Sequence, residues 1–278
     1  MLIPTLFRKL AAACGVTLLA AAPALAAPSC KEDPALAKAF AQADARGTFV
    51  LLDGQTGALV CHDALRAEAG FLPASTYKIP NSVIALETGV ASGPDFALPW
   101  DSRRNPRQDW WPQAWAQDQT LATALPNSVV WFYQELARRI GAQRMQAYVD
   151  RFDYGNRNIG GSIDQFWLTG DLRISALQQV KFLQRFYTGM LGVSQRSTQI
   201  VKDAIVLERS DAYRLSGKTG WARLGEAAGD QVGWLVGYLE QGGKVYFYAL
   251  NMDMRKPEHA AARLGITKAI LRERGLMR

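Results

Sequence analysis

Histidine and cysteine are scarce in this 278-residue chain, which holds two histidines, His62 and His259, and three cysteines, Cys14, Cys30 and Cys61. No Cys/His pair has zinc-site spacing, so a hydrolase built on a metal with three protein ligands is poorly matched, and no metal is expected. Long apolar runs are equally scarce. Beyond residue 26 no segment is apolar enough to span a bilayer. Internal repeats and low-complexity stretches are missing from the same region. Charge of one sign is not concentrated anywhere. The net charge is +7, yet basic clusters such as Arg103-Arg104 and Arg138-Arg139 are short. They read as solvated surface with at most a mild pull on anionic substrates, and nucleic acid is not an expected partner.

What is present begins with an export signal. Arg8 and Lys9 precede an apolar run from Leu10 to Ala22, Pro23 breaks it, and Ala24-Leu25-Ala26 supplies a small-x-small cleavage pattern. Residues 1–26 are therefore set aside, Cys14 with them. The mature chain is expected in the periplasm, with no membrane attachment. An oxidising compartment permits Cys30 and Cys61 to form one bridge. Two separate buried thiols are the other arrangement, and the bridge is the expected one.

The full sequence is 49% hydrophobic and 21% charged, enough apolar material for a sizeable core. Asp33-Pro34 starts a helix. Thr48–Asp53 and Ala58–Asp63 read as strands around the turn Gly54-Gln55-Thr56-Gly57. Helical spacing recurs near 76–88, 124–140, 142–152, 175–188 and 195–206. A Trp-rich loop at 99–119 and a polar loop from Tyr154 to Asp164 interrupt these segments. Strands return at Tyr213–Thr219, Val232–Glu240 and Lys244–Asp253, and a helix near 257–274 ends the chain. The order predicts an α/β (α+β) fold in which an antiparallel sheet, flanked by terminal helices, carries an inserted all-helical subdomain. The expected division is one catalytic domain, 27–278, with sheet parts near 27–64 and 207–278 and the helical part near 65–206.

Two short motifs carry chemistry. Ser75-Thr76-Tyr77-Lys78 opens a helix and puts Ser75 and Lys78 on one face. A lysine one turn away can take the serine proton if it is neutral or chemically modified. Lys218-Thr219-Gly220 ends a strand whose edge can hold an acyl substrate. Lys218 and Thr219 can bind an anionic group, and Gly220 permits close approach. Each motif recurs by chance in unrelated proteins. Together, in this order, they match serine β-lactamases and penicillin-binding proteins.

With Ser128-Val129-Val130, Tyr154-Gly155-Asn156, the block Gln165-Phe166-Trp167-Leu168-Thr169-Gly170 and Asn251-Met252-Asp253, the chain resembles a class D (oxacillinase-type) serine β-lactamase. The resemblance spans nearly the whole mature chain. It implies β-lactam hydrolysis, with Ser75 as the acylated nucleophile and Lys78 as a base N-carboxylated by carbon dioxide or bicarbonate, and no other cofactor. Val130 resembles the lid over that lysine and Trp167 its indole donor. Ser128 resembles the proton shuttle to the leaving nitrogen, and Lys218 its electrostatic partner. Thr219 and Arg263 resemble the anchors of the substrate carboxylate, with Arg255 as the competing candidate. The backbone N–H groups of Ser75 and Trp221 resemble the oxyanion hole, although the family often has Phe at position 221. Tyr154 and Asn156 are expected to shape their loop only. A penicillin-binding transpeptidase or carboxypeptidase, or a β-lactam receptor that does not turn over, would share the fold and the two motifs.

Overall fold

The computed structural model describes residues 30–223 and 231–277; the export signal and Cys14 lie outside the described residues. Seven strands form one sheet. They are β1 (Lys31–Glu32), β2 (Gly47–Asp53), β3 (Leu59–His62), β6 (Val206–Arg209), β7 (Tyr213–Arg223), β8 (Gln231–Gln241) and β9 (Lys244–Asp253), in the order β1-β3-β2-β9-β8-β7-β6. All neighbours are antiparallel except β1 and β3. The small ladder β4 (Ala97–Leu98) and β5 (Gln119–Thr120) stands apart. Strands from the two ends of the chain meet where β2 pairs with β9, Phe49 opposite Leu250.

Alternation along the strands fills two cores, because successive side chains face opposite sides of a sheet. On one face, Phe49, Leu51, Leu235, Leu239 and Leu250 pack against Phe40 of α1 (Ala37–Gln42) and Ile266 and Ile270 of α9 (His259–Glu273). On the other face, Val50, Leu52, Trp234, Val236, Phe247 and Ala249 join the helical core. That core is built from α2 (Ala64–Glu68), α3 (Lys78–Glu87), α4 (Leu121–Ala124), α5 (Val130–Ile140), α6 (Ala142–Arg151), α7 (Ala176–Tyr187) and α8 (Gln195–Ala204). Each fully buried Leu or Phe contributes about 1.5–3 kcal/mol relative to exposure. Polar residues that fix helix ends in the sequence do so here: Ser175 Oγ accepts from Gln178 N–H at the start of α7, and Gln178 reaches back to Ser175 N–H, a capping box.

Three expectations need correction. The continuous helix near 124–140 is broken: α4 ends at Ala124, Leu125–Ser128 form a turn, and α5 begins at Val130. The break comes from Ser128, whose φ of +58° no right-handed helix accommodates. The helix near 195–206 stops at Ala204, and Val206–Arg209 pair with β7 as an edge strand. The strand predicted to end at Thr219 continues to Arg223.

Cys30 and Cys61 are joined by a disulfide, their Cα atoms 5.9 Å apart. It ties the chain just before β1 to β3, beside the register pairs Lys31–Val60 and Glu32–Cys61.

Candidate active site

Ser75 sits in a 3-10 turn, Ala74–Tyr77, that leads into α3. Ala74 has a φ of +49°, rare for a residue with a Cβ. Fixed contacts hold the turn in place. Ala74 N–H donates to Trp167 O at 3.0 Å, and Thr76 N–H to Pro73 O at 3.1 Å. Thr76 Oγ1 also donates to Pro73 O and accepts from the buried Gln179. Trp234 Nε1 anchors the chain just upstream at Leu72 O.

The turn brings Lys78 Nζ to 2.7 Å from Ser75 Oγ. Lys78 is fully buried, with the Tyr133 ring 5.5 Å from its nitrogen. Burial pushes its pKa well below the ordinary lysine value, and the charge of Lys218 adds to the effect. Burial and the neighbouring positive charge thus both favour the neutral amine beside the serine. A neutral amine can accept the Ser75 proton, which an ammonium cannot.

Ser128 reaches the same place from the turn before α5. Lys218 Nζ donates to Ser128 Oγ at 2.9 Å and to Thr219 O at 3.0 Å. Burial, helped by the charge of Arg263, brings the Lys218 pKa down to about 7. β7 passes directly beside the nucleophile turn. A Cβ on Gly220 would lie 2.9 Å from Pro73 O and 3.1 Å from Thr76 Cγ2, so only glycine lets the strand come this near.

The two candidate arginines separate clearly. Arg263, on α9, is almost buried and donates to Gly220 O at 2.7 Å through Nη1 and to Ala260 O through Nε. Its guanidinium carbon lies 5.5 Å from the Trp221 ring centroid, and burial brings its pKa to about 10. Arg255 is exposed and paired with Asp253 at 3.0 Å. Arg263 is thus the arginine brought to the Lys218-Thr219-Gly220 strand. The Trp221 ring is 45% exposed, and its Nε1 donates to Gln231 Oε1.

Trp167 is fully buried, stacked on Tyr77 at 5.5 Å and edge-on to Phe166 at 4.9 Å. Its Nε1–H has no hydrogen-bond partner. A buried unpaired donor is costly, so this N–H marks a place for an acceptor. Val130 and Leu168 pack against the same core. Tyr154 packs on Tyr77 and Phe182. Asn156 bridges the backbone of Asp171, Arg173 and Asn158 and so shapes its loop.

Sequence reasoning did not single out Tyr133, Gln179 or Trp115. Tyr133 lies three residues after Val130 and shares its helix face, a signal that reads as ordinary core spacing. Among the described residues no three His, Cys, Asp or Glu side chains gather as a metal site, and no helix is long and apolar enough to cross a membrane.

Residues 47–273 match the family model of the penicillin binding protein transpeptidase domain. The chain is 39% identical to β-lactamase OXA-5 of Pseudomonas aeruginosa over 249 residues, covering 90% of this chain and 91% of that protein. It is 38% identical to OXA-10 of the same organism over 251 residues, covering 90% and 92%. The crystal structure of the class D β-lactamase YbXI from Nostoc superposes with a TM-score of 0.82 at 43% identity, covering 87% of this chain and 99% of that one. The chain belongs to the penicillin-binding transpeptidase-domain family and, within it, to the class D serine β-lactamases.

Proposed function

We propose that this protein hydrolyses β-lactam antibiotics through an ester on Ser75, with Lys78 as the base. The observation that carries this is the fully buried lysine nitrogen 2.7 Å from the serine hydroxyl. Lys78 removes the hydroxyl proton while Oγ attacks the lactam carbonyl. The backbone N–H groups of Ser75 and Trp221 stabilise the developing oxyanion. Ser128 passes a proton to the ring nitrogen as the amide bond breaks, with Lys218 as its electrostatic partner. Thr219 and Arg263 hold the substrate carboxylate. In the second step the base takes a proton from water, which attacks the ester and frees Ser75.

N-carboxylation of Lys78 fits the residues present. The neutral amine is what carbon dioxide adds to, and the unpartnered Trp167 N–H offers a donor. The added group supplies an anionic base at neutral pH, competent for both steps. Val130 and Leu168 keep water from it.

This reading also holds that residues 27–278 act as one catalytic domain after export to the periplasm. Counting turnovers tests the function. The wild-type enzyme is expected to consume many equivalents of a chromogenic β-lactam, and Ser75→Ala none. A wild-type reaction that stops near one equivalent would instead make the protein a penicillin-binding transpeptidase or a receptor.

A further inference from the structure

The Trp-rich loop has a task that the catalytic residues above do not explain. Ser128 is held at a φ of +58°, in the left-handed region that a side chain disfavours. If this residue relaxed, its Cα–Cβ bond would swing and take Oγ away from Lys218 Nζ, now 2.9 Å distant. Some contact must hold the conformation.

The peptide unit entering Ser128 is gripped at both ends. Ser128 N–H donates to Leu125 O at 3.1 Å. On the opposite side of the same peptide plane, Asn127 O accepts from Trp115 Nε1 at 2.8 Å. A peptide plane fixed at both its N–H and its C=O cannot flip. Trp115 is itself immobilised. Its ring is 6% exposed, and Trp110 and Trp111 pack on it at 5.6 and 5.4 Å. Its N–H donates to Pro112 O, and its C=O accepts from Trp131 Nε1 at 2.8 Å. Trp131 is the second residue of α5, just beyond Ser128. The two indoles therefore bracket Ser128-Val129-Val130, one holding the peptide before it and the other fixing the first indole to the helix after it.

We infer that Trp115 is a positioning residue for the proton shuttle: its indole N–H locks the Asn127–Ser128 peptide and so keeps Ser128 Oγ between Lys218 and the leaving ring nitrogen. The inference rests on the role proposed for Ser128 and deepens it. It also predicts which half of the reaction depends on Trp115. Protonation of the ring nitrogen belongs to acylation alone, whereas the Lys78 base serves both halves. Loss of the indole N–H should slow acylation and spare deacylation. A purely structural tryptophan would disturb both, and one that only touched substrate would alter affinity rather than the rate at saturation.

The test is Trp115→Phe, which keeps an aromatic ring and removes the donor. The acylation rate constant is measured in single turnovers at saturating chromogenic penicillin. The deacylation rate constant is measured on isolated acyl-enzyme. Both are first-order per acylated site, so a reduced folded fraction does not affect them. Acylation is expected to fall about tenfold, the effect of one lost hydrogen bond, while deacylation stays within about twofold. Trp131→Phe, which removes the second indole's hold on Trp115, is expected to slow acylation in the same selective way. Ser128→Ala is run in parallel. If it leaves acylation intact, the shuttle reading fails and the inference falls with it. If Ser128→Ala slows acylation and Trp115→Phe does not, or Trp115→Phe slows both steps equally, the assignment to Trp115 alone is overturned.

Discussion

Replacing Arg263 with alanine perturbs the site in two ways that can be separated. The first is the loss of a charged anchor. Arg263 is 8% exposed and reaches Gly220 O beside Thr219, so a substrate carboxylate meets it with little competing water. A charge-assisted hydrogen bond there is worth about 1.5–3 kcal/mol, so kcat/KM should fall about 10- to 150-fold. The second effect is electrostatic. Burial first, and the like charge of Arg263 second, together depress the Lys218 pKa to about 7. The protonated lysine is the form that draws the substrate carboxylate, and kcat/KM reports ionisations of the free enzyme. The wild-type profile should therefore decline as pH rises through about 7. Removing Arg263 removes a like charge, so the Lys218 pKa rises and the decline moves to higher pH. Steady-state kinetics across pH, with a penicillin and its carboxylate ester, check both parts. The ester should lose little. If Arg255→Ala carries the large loss, or if the basic limb of Arg263→Ala moves to lower pH, the reasoning is refuted.

Trp167→Phe keeps an apolar ring and removes the unpartnered donor, so carboxylation of Lys78 should be weakened. Activity should then need added bicarbonate, and the carbon-13 carbamate signal expected from labelled wild-type enzyme should shrink at equal bicarbonate. An unchanged signal would remove Trp167 from that role. Replacing Cys30 and Cys61 together with serine frees a segment spanning 31 positions. The chain-entropy model puts the loss at about 3–4 kcal/mol, to be read from denaturant unfolding. Because the bridge lies at the β1–β3 edge of the sheet, with β2, β9 and β8 between β3 and the strand that carries Lys218, kcat should remain near wild type.

The parts legible in the sequence are those fixed by local chemistry. Ser75 and Lys78 are three apart at a helix start, so their meeting follows from helix geometry. Lys218-Thr219-Gly220 could be placed on a strand because alternation continues around it. The partnership of β2 with β9 was visible only as two apolar strands at opposite ends of the chain. The break at Ser128 was hidden. Nothing within Leu125-Pro126-Asn127-Ser128 requires a left-handed serine. The contact that holds it comes from Trp115, outside the helical segment read from periodicity. The edge strand Val206–Arg209 has no counterpart in the sequence reading, which carries a helix through Val206, because four residues are too few to establish alternation and only pairing with β7 makes them a strand. Tyr133 and Gln179 looked like core residues, and their packing against Lys78 and Thr76 depends on how helices far apart in sequence come together.

The central claim is that one buried lysine serves Ser75 in both halves of the reaction. Intact-mass spectrometry of Lys78→Ala mixed with a β-lactam tests it most directly. The variant is expected to acylate slowly and then to retain the added mass on Ser75, while wild-type enzyme returns to its unmodified mass as substrate is consumed. A Lys78→Ala protein that clears its acyl group and turns over at the wild-type rate would contradict the account.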